Sequence, residues 1–228
     1  MKIIAEIGVN HNGSIELAKK LVLSAKKSGA DIVKFQTFKA KDNISKYAEL
    51  ADYQKKNSKD PNSQLELVEP LELSNKEFIE IYNYCKKINI SFLSTAFDLK
   101  ALKFLDKFNM SFIKIPSGEI TNLSLLESIG KRNKKILLST GMSNEEEVEK
   151  AINLLNKSGQ SKDKITVLQC TSQYPASDNS INLKAMITMG KKFDVKFGLS
   201  DHSLGIAAPI AAAALGATVI EKHITLDN

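Results

Sequence analysis

Phe197-Gly-Leu-Ser-Asp-His-Ser203, taken together with Glu221-Lys-His-Ile224, decides how this chain is read. Each is a short apolar run that ends in metal-capable side chains, and His223 follows His202 by 21 positions. Between them runs Ala207 to Ala217, rich in the best helix former and punctuated by Gly216. A helix of that length returns a chain to a parallel neighbouring strand, which places both histidines at the same edge of one sheet. Neutral imidazole is a common ligand for divalent metals. The chain has only three histidines, and two of them stand at such positions. The competing reading makes each a hydrogen-bonded core histidine, and this segment alone leaves both open.

Outward from that segment the same strand–helix alternation fills the chain. Strands are expected at Ile3–Gly8, Asp31–Thr37, Ser91–Thr95, Ser111–Ile115, Lys135–Thr140, Ile165–Cys170, Val195–Leu199 and Thr218–Ile224. Helices are expected after Ser14, after Ser74 (a capping box with Glu77), at Leu99–Phe108 and at Leu123–Lys131. Three more are expected at Ser143–Lys157 (Ser143 capping with Glu146), Leu183–Lys191 and Leu204–Leu215. Eight strands alternating with seven helices have the count and order of an α/β fold of the (β/α)8 TIM-barrel type, truncated before its eighth helix. No glycine-rich phosphate loop argues for a doubly wound open sheet. No linker divides residues 1–228, so a single domain is expected. Residues 38–73, polar and containing Pro61 and Pro70, are longer than an ordinary connection and read as a functional loop or lid with some helix of its own.

Composition narrows the class. The hydrophobic fraction of 43% and charged fraction of 25% are those of an ordinary globular protein. No apolar run approaches the roughly 20 residues of a membrane span. The N-terminus places an acid, Glu6, where a signal peptide needs an apolar core. Cys85 and Cys170 form no disulfide framework, and a cytoplasmic location is expected. The net charge of +6 comes almost wholly from lysines scattered among acids; Arg132 is the only arginine and Trp is absent. Nucleic-acid readers favour clustered arginine and stacking aromatics, so no nucleic-acid partner is expected.

In barrels of this kind the reacting groups sit at the C-terminal ends of the strands. Period-2 parity sets Lys34 with Gln36, Lys114 with Phe112, Ser200 with His202, and Glu221 with His223 on the faces opposite the apolar side chains. Two lysines, carboxylates and both histidines then converge inside the mouth. A buried lysine needs a negative partner, either Glu6 and Glu221 or a phosphate or carboxylate ligand. Ser117-Gly118, Ser139-Thr-Gly141 and Thr171-Ser172 add hydroxyls and free amides suited to phosphate oxygens. His11, in Asn10-His-Asn-Gly13, reads as a turn residue near the mouth.

Eight motifs, taken in order, resemble the sialic acid synthase family, whose members include N-acetylneuraminate, legionaminate and pseudaminate synthases. They are Ala5-Glu-Ile-Gly8 with Asn10-His-Asn-Gly13, Val33-Lys-Phe-Gln-Thr37, Phe92-Leu-Ser-Thr95, Lys114-Ile-Pro-Ser-Gly-Glu119, Leu138-Ser-Thr-Gly-Met142, Cys170-Thr-Ser-Gln-Tyr-Pro175, Gly198-Leu-Ser-Asp-His202 and Glu221-Lys-His223. The resemblance implies a transferase that condenses phosphoenolpyruvate with an open-chain N-acylated mannosamine-type sugar, giving a nine-carbon 2-keto acid and phosphate. It implies a divalent metal, manganese first and magnesium or cobalt as alternatives, on His202 and His223. By the same match Lys34, Thr95, Lys114, Ser117, Ser139 and Ser172 hold phosphoenolpyruvate, and Glu6, Glu119 and Tyr174 stand on the sugar side. The resemblance also implies that Glu221 orients a metal-bound water. Members of the family continue into an eighth helix and a small antifreeze-like domain that crosses a homodimer and lends an arginine. That part is expected to be absent from this chain, and Arg132 does not replace it.

Two other readings remain distinct: a metal-dependent pyruvate aldolase on a similar barrel, and a silent sugar- or phosphate-binding fragment. A Schiff-base route through Lys34 or Lys114 predicts labelling by borohydride.

Overall fold

The computed structural model describes residues 1–50 and 63–227. Runs rich in Val, Ile, Leu and Phe form eight strands: β1 Lys2–Gly8, β2 Ile32–Thr37, β3 Ser91–Ala96, β4 Phe112–Ile115, β5 Lys135–Ser139, β6 Ile165–Cys170, β7 Lys196–Asp201 and β8 Val219–His223. Every neighbouring pair is parallel, and β8 pairs back onto β1 (Lys2↔Val219 to Glu6↔His223), so the sheet closes into a barrel. Closure leaves no edge strand, and it turns alternate side chains of every strand toward one shared interior. The expected TIM-barrel architecture is therefore the observed one.

Seven helices follow strands one to seven among the described residues: α1 Ile15–Lys27, α2 Asn75–Lys87, α3 Leu99–Leu105, α4 Leu123–Gly130, α5 Glu145–Lys157, α6 Leu183–Phe193 and α7 Ala207–Ala214. The Ser14 hydroxyl accepts the Leu17 N–H to cap α1, and Ser74 with Glu77 forms the expected capping box on α2. The box on α5 is Asn144 with Glu147 rather than Ser143 with Glu146. Helix α7 starts at Ala207, not Leu204, because Gly205 sits at φ +71, outside helical space. Strand β7 runs to Asp201, two residues beyond expectation, which carries the ladder up to the residue before His202.

The outward face of the strands packs against the helices. Phe35 on β2 stacks on Phe92 of β3 (centroids 5.8 Å) and meets Phe78 of α2 edge-on (6.4 Å). Each such side chain, once fully buried, contributes about 1.5–3 kcal/mol of transfer free energy. The segment 38–73 enters the structure in part: short helical pieces at Ala40–Asn43 and Gln64–Val68 and a tight turn at Glu69–Leu71. Its two ends are tied to each other where Glu72 accepts from both the Lys39 ammonium and the Ala40 N–H. Residues 51–62 of the expected lid, Pro61 among them, lie outside the described residues.

Candidate active site

The interior is charged, and the strand register says why. Glu6 on β1 pairs in register with Lys34 on β2, Thr95 on β3 with Lys114 on β4, and Ser200 on β7 with Glu221 on β8. All of these point inward and are buried. Lys34 Nζ stands 3.0 Å from Glu6 Oε2 and 3.6 Å from Glu221 Oε1, and Lys114 Nζ stands 2.9 Å from that same Glu221 oxygen. Two ammonium groups and two carboxylates from four strands thus share one volume.

Neutral donors and acceptors complete the set. Lys34 donates to Thr95 Oγ1 at 3.2 Å and Lys114 to Ser139 Oγ at 2.7 Å. Ser200 Oγ donates to Glu221 Oε1 at 2.9 Å, and Gln36 Nε2 to Glu6 Oε1 at 3.0 Å. Gly8, at φ +53 where the β1 register shifts, makes room for this crowd. A Cβ there would lie 3.3 Å from Glu6 Oε1 and 3.5 Å from His223 Cε1.

The charges bias one another. Burial works to raise the Glu221 carboxyl, but the ammonium groups of Lys114 and Lys34 outweigh it and bring it down to about 2. Glu6 is raised, burial exceeding the help of Lys34. For Lys34, burial is overcome by Glu221 and Glu6 and the ammonium is held up. For Lys114, burial prevails despite Glu221, and Lys34 adds to the lowering. Two lysines in one cavity are therefore pushed in opposite directions.

Above this cluster His202 and His223 face one another with ring centroids 5.6 Å apart, as the parallel return between their strands requires. Desolvation in the crowded mouth lowers both imidazoles to about 4, His202 half-buried and His223 more open to solvent at the rim, leaving them neutral near pH 7. His202 Nδ1 lies 2.7 Å from the Thr171 carbonyl, an acceptor only, so this nitrogen donates and Nε2 keeps its lone pair. A hydrogen bond on the far nitrogen is the usual arrangement behind a metal-binding imidazole. Glu221 Oε2 is buried without a hydrogen-bond partner among the described residues. Two neutral imidazoles beside an orphaned carboxylate oxygen fit a divalent cation by donor chemistry, although no group of three or more His, Cys, Asp or Glu clusters with metal-binding spacing among the described residues.

Beside the lysines lies a hydroxyl-lined cradle. Ser117 Oγ accepts the Gly141 N–H at 2.9 Å, and a Cβ on Gly141 would fall 2.4 Å from Ser172 Oγ and 2.8 Å from Ser117 Oγ. The strand ends of β4, β5 and β6 thus converge on a glycine that nothing larger can replace without displacing both serines.

Other expected residues are placed less centrally. Tyr174 stacks on His202 (centroids 4.0 Å, 29°) and meets His223 edge-on at 5.7 Å, so it covers the imidazole pair. Glu119, in the turn Ser117–Glu119 after β4, accepts from Asn122 Nδ2 at 2.7 Å and is only partly buried, apart from the charged cluster. Burial of its carboxyl raises its pKa. His11 is buried; its Nδ1 accepts the Gly13 N–H at 3.1 Å and its ring lies 6.0 Å from that of Phe35. It is a turn residue of the interior. Ser200 and Gln36 join the site beyond the residues expected from sequence, with strand parity as the signal that marks them; the Thr171 carbonyl has no such signal.

Comparison with known proteins follows the same lines. A model described as the NeuB family matches residues 21–228. The chain is 54% identical over 226 residues to an N,N'-diacetyllegionaminic acid synthase of Campylobacter jejuni, covering 99% of this chain and 68% of that protein. It is 45% identical over 228 residues to an N,N'-diacetyllegionaminic acid synthase of Legionella pneumophila, covering 99% and 64%. The crystal structure of an N-acetylneuraminic acid (sialic acid) synthetase from Leptospira borgpetersenii in complex with citrate superposes with a TM-score of 0.87. Identity to it is 33%, over 99% of this chain and 73% of that one. The chain spans about two thirds of the length of these curated relatives.

Proposed function

Because this chain belongs to the NeuB family, we propose that it is the catalytic barrel of a synthase joining phosphoenolpyruvate to the open-chain form of an N-acylated aminosugar. One water is consumed at the former phosphoenol carbon, its C–O bond to phosphate breaks, and the products are a nine-carbon 2-keto acid and phosphate. The observation that carries the reading is the pair of buried ammonium groups, Lys34 and Lys114, set beneath the His202–His223 pair in one barrel mouth.

Each residue has a task in such a reaction. Lys34 and Lys114, with Thr95 and Ser139 already bonded to them, orient the carboxylate and phosphate of the enol substrate. Ser117, Ser172 and the Gly141 amide offer small donors beside them. His202 and His223 would hold a divalent cation, manganese first, and Glu221 Oε2, buried without a hydrogen-bond partner, would be free to accept from a water beside it. When bound, that ion supplies Lewis-acid polarisation of the sugar aldehyde. Glu6 and Tyr174 border the sugar from β1 and from above the histidines, and Glu119 stands farther out. A buried site of fixed donors is already oriented when charge develops, which is where most of the rate gain arises.

Two relatives at 45–54% identity are diacetyllegionaminic acid synthases, which favours a diacetamido trideoxy sugar over N-acetylmannosamine. Mass spectrometry of the products from phosphoenolpyruvate with each sugar decides between them. Phosphate release that requires the enol substrate, an aminosugar and manganese together is the expected result. Product without phosphate release points to a pyruvate aldolase instead, and borohydride labelling points to a Schiff base.

A further inference from the structure

Beyond the inward-facing groups, the two histidine-bearing strands carry one outward-facing ion pair. In the β7–β8 ladder Ser200 is in register with Glu221 and Asp201 with Lys222, and Asp201–Lys222 is its last pair. The next step along both strands is His202 and His223. Parity turns the histidines inward and turns Asp201 and Lys222 outward. On that outer side Lys222 Nζ donates to Asp201 Oδ2 at 2.5 Å and to the Ser203 carbonyl at 2.7 Å. Asp201 is buried, and its other oxygen accepts from both the Ser203 N–H (3.0 Å) and the Ser203 hydroxyl (2.7 Å).

Past that pair each histidine leans on a different neighbour. His202 is held from the loop after β6, through its Nδ1 contact with the Thr171 carbonyl and through its own carbonyl, which accepts the Ala176 N–H at 2.9 Å. His223 is held from the other side, in register with Glu6 on β1, where the Ile224 N–H donates to the Glu6 carbonyl at 3.0 Å. Nothing in the backbone ladder ties His202 to His223 directly. The Asp201–Lys222 pair is the last link between the strands before they part.

We infer that Asp201 and Lys222 are positioning residues: their ion pair fixes the spacing of the two imidazoles and thereby the affinity of the site for a divalent cation. This rests on the reading of His202 and His223 as metal ligands. Neither residue touches the cation, so its effect passes through the strand ends. An ion pair with Asp201 buried and Lys222 partly so, set in a three-way bond with the following turn, is stiff, and an imidazole pair held at fixed separation binds a cation without first having to order itself.

The test titrates Mn2+ alone into the intact chain and reads free Mn2+ by electron paramagnetic resonance, well below the unfolding temperature. Lys222→Met leaves the Asp201–Ser203 turn in place and is expected to weaken Mn2+ binding about tenfold, the scale typical of groups that orient metal ligands. Lys222→Arg, which keeps the charge, is expected to recover most of it. Lys2→Met, which breaks the Lys2–Asp31 pair at the opposite end of the barrel, is expected to leave the affinity unchanged. Should Lys222→Met fail to fold, the neutral double variant Asp201→Asn/Lys222→Met buries no orphan charge and gives the same comparison. A folded variant with a lowered melting temperature but wild-type Mn2+ affinity overturns the inference and leaves the pair a purely structural one. Wild-type chain that binds no Mn2+, or binds it equally well after His202→Ala, overturns the metal reading itself and the clamp with it.

Discussion

Two ion-pair regions of this molecule contrast in every respect except chemistry. On α5, Lys150 and Glu146 lie 2.7 Å apart one helical turn from each other, with both side chains 71% exposed. In the barrel, Glu6, Lys34, Glu221 and Lys114 interlock with exposures between 2% and 6%. Water screens the first pair and each partner keeps most of its hydration, so its net contribution is small. The interior four have lost hydration worth several kcal/mol per ion, which their mutual attraction and their bonds to Thr95, Ser139, Ser200 and Gln36 offset. Apolar side chains of similar size would fill that space at less cost. Under the proposed function, the difference means that the barrel keeps these charges for what they do to a ligand.

The contrast breaks most sharply at Glu221, on which both lysines converge. Glu221→Leu is expected to cost about 3–5 kcal/mol in urea unfolding, because it strands the buried Lys114 ammonium and leaves Lys34 with Glu6 alone. A loss within 1 kcal/mol means the interior is wetter than the contacts imply. Activity is expected to fall by about 10²-fold or more in the same variant and in Lys34→Met, measured as phosphate release.

A buried titratable group without an ion-pair partner sharpens the comparison from another side. Burial lowers the His11 imidazole from its ordinary 6.5 to about 4. The folded chain therefore favours the neutral ring, and the unfolded chain binds more protons between those values. Its contribution is complete above pH 6.5 and is lost as pH falls toward 4, up to about 3 kcal/mol in all. His11→Gln is expected to remove that part of the acid slope from unfolding curves measured across the window; identical slopes refute it.

Smaller effects belong to the surface. Ser74→Ala opens the capping box of α2 and is expected to cost about 1 kcal/mol by thermal unfolding. Lys150→Ala is expected to cost less than about 0.5 kcal/mol, and less still at high salt. A larger loss would erase the contrast between surface and interior pairs.

Much of this was legible in the residues. Alternating apolar runs and helix caps specify the order of strands and helices, and a period of two places Lys34, Lys114, Glu221 and both histidines on one side of their strands. What the sequence could not show is register. Only the closed sheet reveals that Lys34 and Lys114 meet the same carboxylate, or that Asp201 lies across from Lys222. Local ambiguity explains the rest. Ser143/Glu146 and Asn144/Glu147 have the same box spacing one residue apart, and the helix axis chose the second. Tyr174 lies over His202 because of a loop path that no periodicity encodes.

The interior foursome also bears on how the chain comes to be assembled. Lys114 and Glu221 are 107 residues apart, and ribosomes deliver them in that order. Until β8 emerges, Lys34 has only Glu6 for company and Lys114 has no counter-ion from this group. A nascent chain ending anywhere before residue 221 has reason to leave its lumen open to water, and drying it out becomes the last act of folding, not the first.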